Sequence, residues 1–202
     1  MKFIKKYKYN ILSFITPILI YTLVFLFKGL FTKYSFVTSD AQGQFLPTLK
    51  YYYNVLHNNA SFPYTFSKGI GGTMYAAFFY GLSSPTNLLL YFFKNTEFFI
   101  LITTLIKYGL SGFTMFLLLK SQNNKELNSF VFSLAYSLST YIILYSVNIM
   151  WLDSFWLAPL VIKGIDDIVI NKKERLYIIS LLFCLVSNYY TGYMIVLFSI
   201  IY

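Results

Sequence analysis

The sequence predicts an all-α fold: a polytopic integral membrane helix bundle of about five transmembrane helices, with a long outer loop containing interfacial helices. Three observations predict it. Of 202 residues, 57% are hydrophobic and 11% charged, where a soluble domain carries roughly a quarter charged. The apolar residues form continuous runs close to the roughly 20 residues that span a bilayer core. They do not alternate as strands would, and an open sheet cannot cross lipid. The basic residues fall in short clusters between the runs, the pattern that orients membrane helices.

Lys2, Lys5, Lys6 and Lys8 precede the first apolar run. That run is too long for a signal-peptide core and no small-residue cleavage pattern follows it. Residues 1–9 therefore read as a cytoplasmic basic tail and residues 10–31 as a retained first span. The second span is residues 97–119, which tolerate Lys107 and two glycines. The third is 128–147 and the fourth 153–170. The fifth runs from 176 to the end, interrupted by Asn188-Tyr-Tyr-Thr-Gly192. Residues 85–93 are too short to span and read as a re-entrant or interfacial helix. Lys120 and Lys125, then Lys172, Lys173 and Arg175, recur after every second span and mark one cytoplasmic side. Residues 32–96 and the link 148–153 are left outside, and residues 1–202 form a single membrane domain of a multi-pass protein in the cytoplasmic membrane.

The net charge of +9 raises the question of nucleic acid. No basic stripe accompanies a binding motif, so the expected partner is the lipid bilayer. The lone Cys184 excludes an intrachain disulfide and a cysteine zinc cluster and reads as a buried small hydrophobe.

Long ordered loops tend to carry function. In residues 32–96, Phe45, Leu49, Tyr52 and Leu56 recur at helical spacing and predict an amphipathic helix over 44–58, with Pro47 in its first turn. Gly69, Gly71 and Gly72 form no Walker or Rossmann fingerprint, which favours a structural turn over a phosphate loop. Ser84 and Pro85 mark an N-cap and first helical position.

Seven carboxylates are present. Glu126 and Glu174 lie among basic residues, Glu97 starts the second span, and Asp166 and Asp167 close the fourth near Lys163 and Lys172. Asp40 and Asp153 remain, both expected at the outer surface. Asp40 is an N-cap, with Ser39 and Gln42 spaced like a capping box, or a reactive group. Asp153 is an N-cap in the belt marked by Trp151 and Trp156, or a second carboxylate. His57, the only histidine, excludes a multi-histidine metal site and argues against a Ser-His-Asp hydrolase. It can serve as a base or phosphate contact, although a polar-face residue without a role is favoured.

Four stretches carry a resemblance: "SDAQGQFLPTLKYYYNVL", "FSKGIGGTMYAAFFYGLSSPTNLLLYFF", "MWLDSFWLAPLVIKGID" and "NYYTGYMIVLFSIIY". In this order, through most of the chain from about Ser39, the sequence resembles the bacterial YfhO-like membrane proteins. The resemblance implies a GT-C type glycosyltransferase. Such an enzyme takes a sugar from a polyprenyl-phosphate carrier and transfers it to a cell-envelope polymer of the teichoic-acid type. Asp40 occupies the place of the acidic residue that this class carries in its first outer loop, which implies a catalytic role. YfhO-like proteins are usually longer. The chain is therefore expected to be the GT-C-like N-terminal part of a larger enzyme, with a second chain completing it as one conceivable partner.

The resemblance further implies that Lys33, Lys50 or Lys68 would meet the carrier phosphate as point charges. Tyr52, Tyr75 or Trp151 would stack on the sugar, and Phe78, Phe79 and Tyr80 would hold the isoprenoid. His57 and Asn188 are further phosphate or sugar contacts; for the Asn188–Gly192 interruption packing is favoured, with Asn188 its best cavity candidate. Asp40 would take the proton of the acceptor hydroxyl. Two aspartates with phosphate oxygens would make a site for Mg²⁺ or Mn²⁺. The alternative is a non-catalytic membrane subunit or a transporter of a lipid-linked substrate. A transporter would carry ionisable groups near the midplane, where only Lys107 and Lys163 come close.

Overall fold

The computed structural model describes residues 7–29, 35 and 37–202. Lys2, Lys5, Lys6 and Lys33 lie outside the described residues. Among the described residues there is no strand, only an isolated antiparallel bridge between Thr65 and Gly72.

Helix α1 (Lys8–Phe27) packs along α3 (Thr96–Ser121). The contact is set by Gly109 and Gly112. A Cβ at Gly109 would stand 2.8 Å from the Phe14 carbonyl oxygen, and one at Gly112 would collide with the Ser13 carbonyl. Small residues let backbones approach where lipid offers no hydrophobic drive between helices. The other face of α1 exposes Ile15, Leu19, Leu23 and Phe27. Asn95 caps α3, its Oδ1 accepting from the Glu97 and Phe98 amides at 3.0 and 3.1 Å. At 26 residues and about 1.5 Å per residue, α3 is ~39 Å long and exceeds a bilayer core. It is the central helix, packed on α1, α4 (Glu126–Ser137) and α6 (Trp151–Asn171).

The third apolar run is two helices, α4 (Glu126–Ser137) and α5 (Thr140–Tyr145). Near the break, the Tyr21 hydroxyl donates to the Ser137 carbonyl at 3.1 Å. Such a partner is needed where lipid offers none. Helix α6 (Trp151–Asn171) follows. Among the described residues, three segments are long and apolar enough to cross a membrane: Lys8–Phe27, Thr96–Ser121 and Glu126–Tyr145. Helix α6 carries Asp153, Lys163, Asp166 and Asp167 and is not among them.

The fifth span is corrected. Residues 175–201 form a hairpin of α7 (Arg175–Ser187) and α8 (Tyr189–Ile201). Asn188 is extended, and its Oδ1 accepts from the Thr191 amide and hydroxyl, each at 2.9 Å. The arms run back along each other, bringing Tyr177 Oη to 3.1 Å from Ser199 Oγ. Each arm has 13 residues, or ~20 Å, short of a core of about 30 Å.

The starts of α1 and α4 meet through Tyr9 and Phe130. The ends of α3 and α6 meet through Gln122 Nε2 and Asp166 Oδ2 at 3.1 Å, and Tyr202 Oη reaches Asp166 Oδ1. This end carries Lys120, Lys125, Lys172, Lys173 and Arg175 and is termed the basic end.

The long loop covers the opposite end. Helix α2 (Leu46–Leu56) forms inside the expected 44–58 range, with Phe45, Leu49 and Tyr52 buried. A π-turn (Ala41–Phe45) leads into it. Another π-turn (Phe78–Leu82) precedes a 3₁₀ helix (Pro85–Phe92) capped by Ser84, whose Oγ accepts from the Thr86 amide at 3.3 Å. Leu46, Leu49 and Leu82 pack with Phe99 and Ile100 of α3 and with Ile149. The link before α6, expected at the outer surface, therefore lies beneath the loop layer: Asn148, Ile149 and Met150 are all buried.

Tight α6–α7 and α7–α8 packing generates a stability prediction. A Cβ at Gly164 would stand 2.6 Å from Tyr177 Cα, and one at Gly192 2.7 Å from the Cys184 carbonyl oxygen. Gly164→Val and Gly192→Val should each destabilise by about 1–3 kcal/mol through overpacking. Thermal unfolding in detergent checks this. Gly43→Ala, with nothing within 4 Å of its Cβ, should leave the midpoint unchanged.

Candidate functional site

Asp40 stands where the chain enters the loop layer. Ser39 before it has φ 51°, a left-handed conformation uncommon for a non-glycine residue. The π-turn begins directly after it, and such turns are frequent at functional sites. The capping box does not form. The Gln42 and Gly43 amides donate to the Ser39 carbonyl, each at 3.0 Å, and no side chain caps the turn. Asp40 is exposed and makes no ion pair or hydrogen bond with its carboxylate among the described residues.

Asp153 is corrected from a surface carboxylate to a buried one. It is fully buried, and its Oδ2 lies 2.8 Å from Lys107 Nζ. Its Oδ1 accepts from Trp156 Nε1 at 3.2 Å, and Lys107 also donates to the Ile149 carbonyl at 3.0 Å. It sits in the first turn of α6 without capping it. The signal was present in the sequence: Lys107 is a charge inside an apolar run, and such charges are almost always paired. A two-aspartate Mg²⁺ or Mn²⁺ site does not fit, because both Asp153 oxygens are engaged and Asp40 is exposed elsewhere. Among the described residues no three His, Cys, Asp or Glu side chains cluster.

Asn188 takes the packing role. It is fully buried, its oxygen caps α8, and its Nδ2 donates to the Tyr80 carbonyl. Its side chain is enclosed by protein and bonded to both the hairpin and the loop, which is the packing reading of this segment.

His57 Nδ1 donates to the Tyr53 carbonyl at 2.9 Å, a tautomer required because a carbonyl only accepts. Its ring lies 4.6 Å from Tyr91, stacked, and 4.1 Å from Tyr53. It clamps the end of α2 to the 3₁₀ helix. Tyr75 is exposed, with its ring against the edge of Phe62 at 5.1 Å.

Lys50 and Lys68 are brought together. They line one cleft of about 370 Å³ with Thr48, Tyr51, Asn54 and Ser67. Lys50 comes from α2. Lys68 comes from a turn closed by paired bonds between Thr65 and Gly72 at 2.8 and 2.9 Å. Gly69 (φ 60°) and Gly71 (φ 120°) adopt left-handed conformations there, which glycine supplies at least cost. The glycines therefore act as a turn that presents Lys68. A second cleft of about 670 Å³ is lined by Lys50, Tyr53, Asn54, Lys94, Asn95, Thr96 and Glu97. Among the described residues, no ion pair engages Lys50, Lys68 or Lys94.

Asp40, His57 and Tyr75 line neither cleft. Tyr52 points into the loop core, where burial pushes its phenol up. The aromatic rings that do line the clefts are Tyr51 and Tyr53. In a run of three tyrosines, periodicity assigns one to the core and leaves its neighbours without a direction.

A protein-family model described as bacterial membrane protein YfhO matches residues 13–202. No curated protein and no solved structure matches the chain.

The buried pair generates a second prediction. Asp153→Asn or Lys107→Met leaves one buried charge uncompensated and should cost about 3–5 kcal/mol. Lys107→Met with Asp153→Leu should recover most of that loss. Thermal midpoints and folded yield in detergent check both.

Proposed function

The chain belongs to the YfhO family of bacterial membrane proteins, and on that premise we propose that it transfers a sugar from a polyprenyl-phosphate carrier to a cell-envelope polymer. The family is consistent with a membrane glycosyltransferase-like role. The observation that carries the proposal is the Lys50–Lys68 cleft. Two ammonium groups, without carboxylate partners among the described residues, meet hydroxyl, carboxamide and phenol groups there, on the loop layer of an otherwise apolar bundle. Ammonium groups neutralise phosphate, and the surrounding donors and acceptors suit sugar hydroxyls. An anionic headgroup held at this level leaves its hydrocarbon tail in lipid.

In the proposed reaction, Asp40 accepts the proton of the acceptor hydroxyl as its oxygen bonds to the anomeric carbon. The anomeric carbon–oxygen bond to the carrier breaks, and its electron pair leaves with the polyprenyl phosphate. The exposure of Asp40, without an ion-pair partner among the described residues, supports this role, as does its place before the π-turn. The basic end is assigned to the cytoplasm by its Lys and Arg excess, so the loop layer faces outward.

A second reading, transport of a lipid-linked substrate, draws on the buried Lys107–Asp153 pair and the interrupted helices. Both are features of transporters.

Reconstituted protein separates the two. With an undecaprenyl-phosphate-linked hexose and an envelope-polymer acceptor, Asp40→Asn should lower transfer by about 10²- to 10⁴-fold. Lys68→Gln should raise KM for the carrier about tenfold, as for loss of a hydrogen bond to a charged group. Movement of the carrier across the bilayer without transfer favours the transporter. Orientation is checked with a membrane-impermeant maleimide on intact cells. Asp40→Cys should label and Lys125→Cys should not; the native Cys184 is buried.

A further inference from the structure

At the basic end the chain passes from α6 to α7 through Lys172, Lys173 and Glu174. Backbone bonds close this turn: the Lys172 amide donates to the Ile168 carbonyl and the Lys173 amide to the Asp167 carbonyl, each at 3.1 Å. Lys172 is left-handed, with φ 55°, a conformation that glycine most often supplies at a helix end. The backbone approach of Gly164 to Tyr177 holds the two helices together just past the turn. Here lies a cleft of about 570 Å³, lined by Asp167, Lys172, Lys173, Glu174, Arg175 and Leu176. It shares no residue with the clefts of the loop layer.

The charges of this cleft do not cancel. Asp167 is already engaged, accepting from Lys163 Nζ and Asn171 Nδ2 at 2.7 and 3.1 Å. The neighbouring Asp166 accepts from Gln122 and Tyr202. Lys172, Lys173 and Arg175 are exposed and form no ion pair among the described residues. Of the two lining carboxylates, Glu174 alone is outside an ion pair among the described residues, so three cations face one anion. The surroundings select the kind of anion that fits. Val169 and Ile170 on α6, and Ile178 and Ile179 on α7, are exposed apolar side chains. Ile170 comes two residues before Lys172, and Ile178 three residues after Arg175. Charge and apolar surface therefore lie within one helical turn, about 5.4 Å, of each other on both helices. A dissolved anion would answer only the cations, and a zwitterionic lipid would bring an ammonium group of its own to them. An anionic phospholipid answers both surfaces. Basic pockets between membrane helices suit such headgroups.

We propose that the cleft at the α6–α7 turn binds the phosphate of an anionic phospholipid through Lys172, Lys173 and Arg175, with the acyl chains lying along Val169, Ile170, Ile178 and Ile179. The lysines meet the phosphate as point charges, and the planar guanidinium of Arg175 matches two of its oxygens. The bound lipid braces the turn that joins the α7–α8 hairpin to the bundle. The site stands apart from the loop layer and does not depend on the sugar-transfer reading.

The test titrates the full chain in a neutral detergent with phosphatidylglycerol, and reads bound lipid by native mass spectrometry and the thermal midpoint. Phosphatidylglycerol should bind and raise the midpoint, as a ligand of the folded state does. Phosphatidylcholine with the same acyl chains should bind far more weakly. Lys173→Gln with Arg175→Gln should weaken phosphatidylglycerol binding by about 30-fold, at roughly fivefold for each basic residue near an anionic lipid. Lys120→Gln with Lys125→Gln removes the same charge from the same end outside the cleft and should leave binding nearly unchanged. Equal weakening by the two double variants overturns the site in favour of a diffuse charge effect. Equal binding of the two lipids overturns recognition of the anionic headgroup. Displacement of phosphatidylglycerol by an equal concentration of inorganic phosphate or glycerol 3-phosphate overturns a lipid as the occupant. The variants alter exposed side chains, so their midpoints without lipid should match wild type. A phosphatidylglycerol with a photoreactive acyl chain tests the wild-type protein directly. Its crosslinks should fall between Val169 and Ile179, and crosslinks confined to other helices overturn the assignment even if a variant fails to fold.

Discussion

Lys107 lies in the middle of the central helix and Asp153 in the first turn of α6, and the two meet at 2.8 Å with about 1% of either side chain exposed. Two charges withdrawn from water carry a desolvation cost of several kcal/mol each, which their attraction offsets only in good geometry with further hydrogen bonds. Both conditions hold here: Trp156 supplies the second donor to Asp153, and Ile149 the second acceptor to Lys107. A lone lysine in this apolar helix would have no such compensation. The pairing constrains α6 to begin beside the middle of α3, which draws the link before it down into the protein. Ile149 and Met150 become the floor on which the loop layer rests: Ile149 joins the loop core, and Gly81 lies over Met150.

The interrupted helices obey the same physics at the level of the backbone. Breaking a helix inside an apolar bundle frees carbonyls and amides that lipid cannot satisfy. At the α4–α5 break Tyr21 meets the Ser137 carbonyl, and at the hairpin apex the Asn188 side chain meets the Thr191 amide. The hairpin apex then reaches the loop. Asn188 donates to the Tyr80 carbonyl, and Ser83 donates to the Val186 carbonyl. The segment from Phe78 to Ser84 is thereby held from two sides, by the hairpin and by Asn87, which donates to the Gly81 and Leu82 carbonyls. That hold gives the loop layer a fixed seat despite its shortage of regular helix.

Charge divides cleanly by location. Lys107 and Asp153 are enclosed and paired, and Lys163 pairs with Asp167 near the basic end. On the loop layer, Lys50, Lys68 and Lys94 stand around two clefts without ion-pair partners among the described residues, and Asp40 is exposed before its turn. The enclosed Lys107–Asp153 pair holds the frame, and the loop-layer lysines are free to meet an anionic ligand. The same division explains why Asp153, alike in sequence to Asp40 as an acid near an apolar segment, has a different chemical fate.

Composition, run length and the spacing of basic clusters were enough to determine a helical membrane protein, a long loop, the α2 helix and the Ser84 cap. These are local properties: a helix in lipid satisfies its own backbone, and a cap depends on two or three neighbouring residues. The resemblance likewise rests on short segments in order, and the match over residues 13–202 agrees with it. What the sequence left open depended on groups far apart along the chain. Lys107 and Asp153 are separated by 46 residues and Asn188 and Tyr80 by 108, so only the packed bundle could decide that the first pair is an enclosed bridge and that Asn188 closes a hairpin. The clefts follow the same rule. Lys50, Lys68 and Lys94 are unremarkable in sequence, and α2 with the loop folded around it gathers them, because a surface site is made by elements that meet only after the core beneath them has packed.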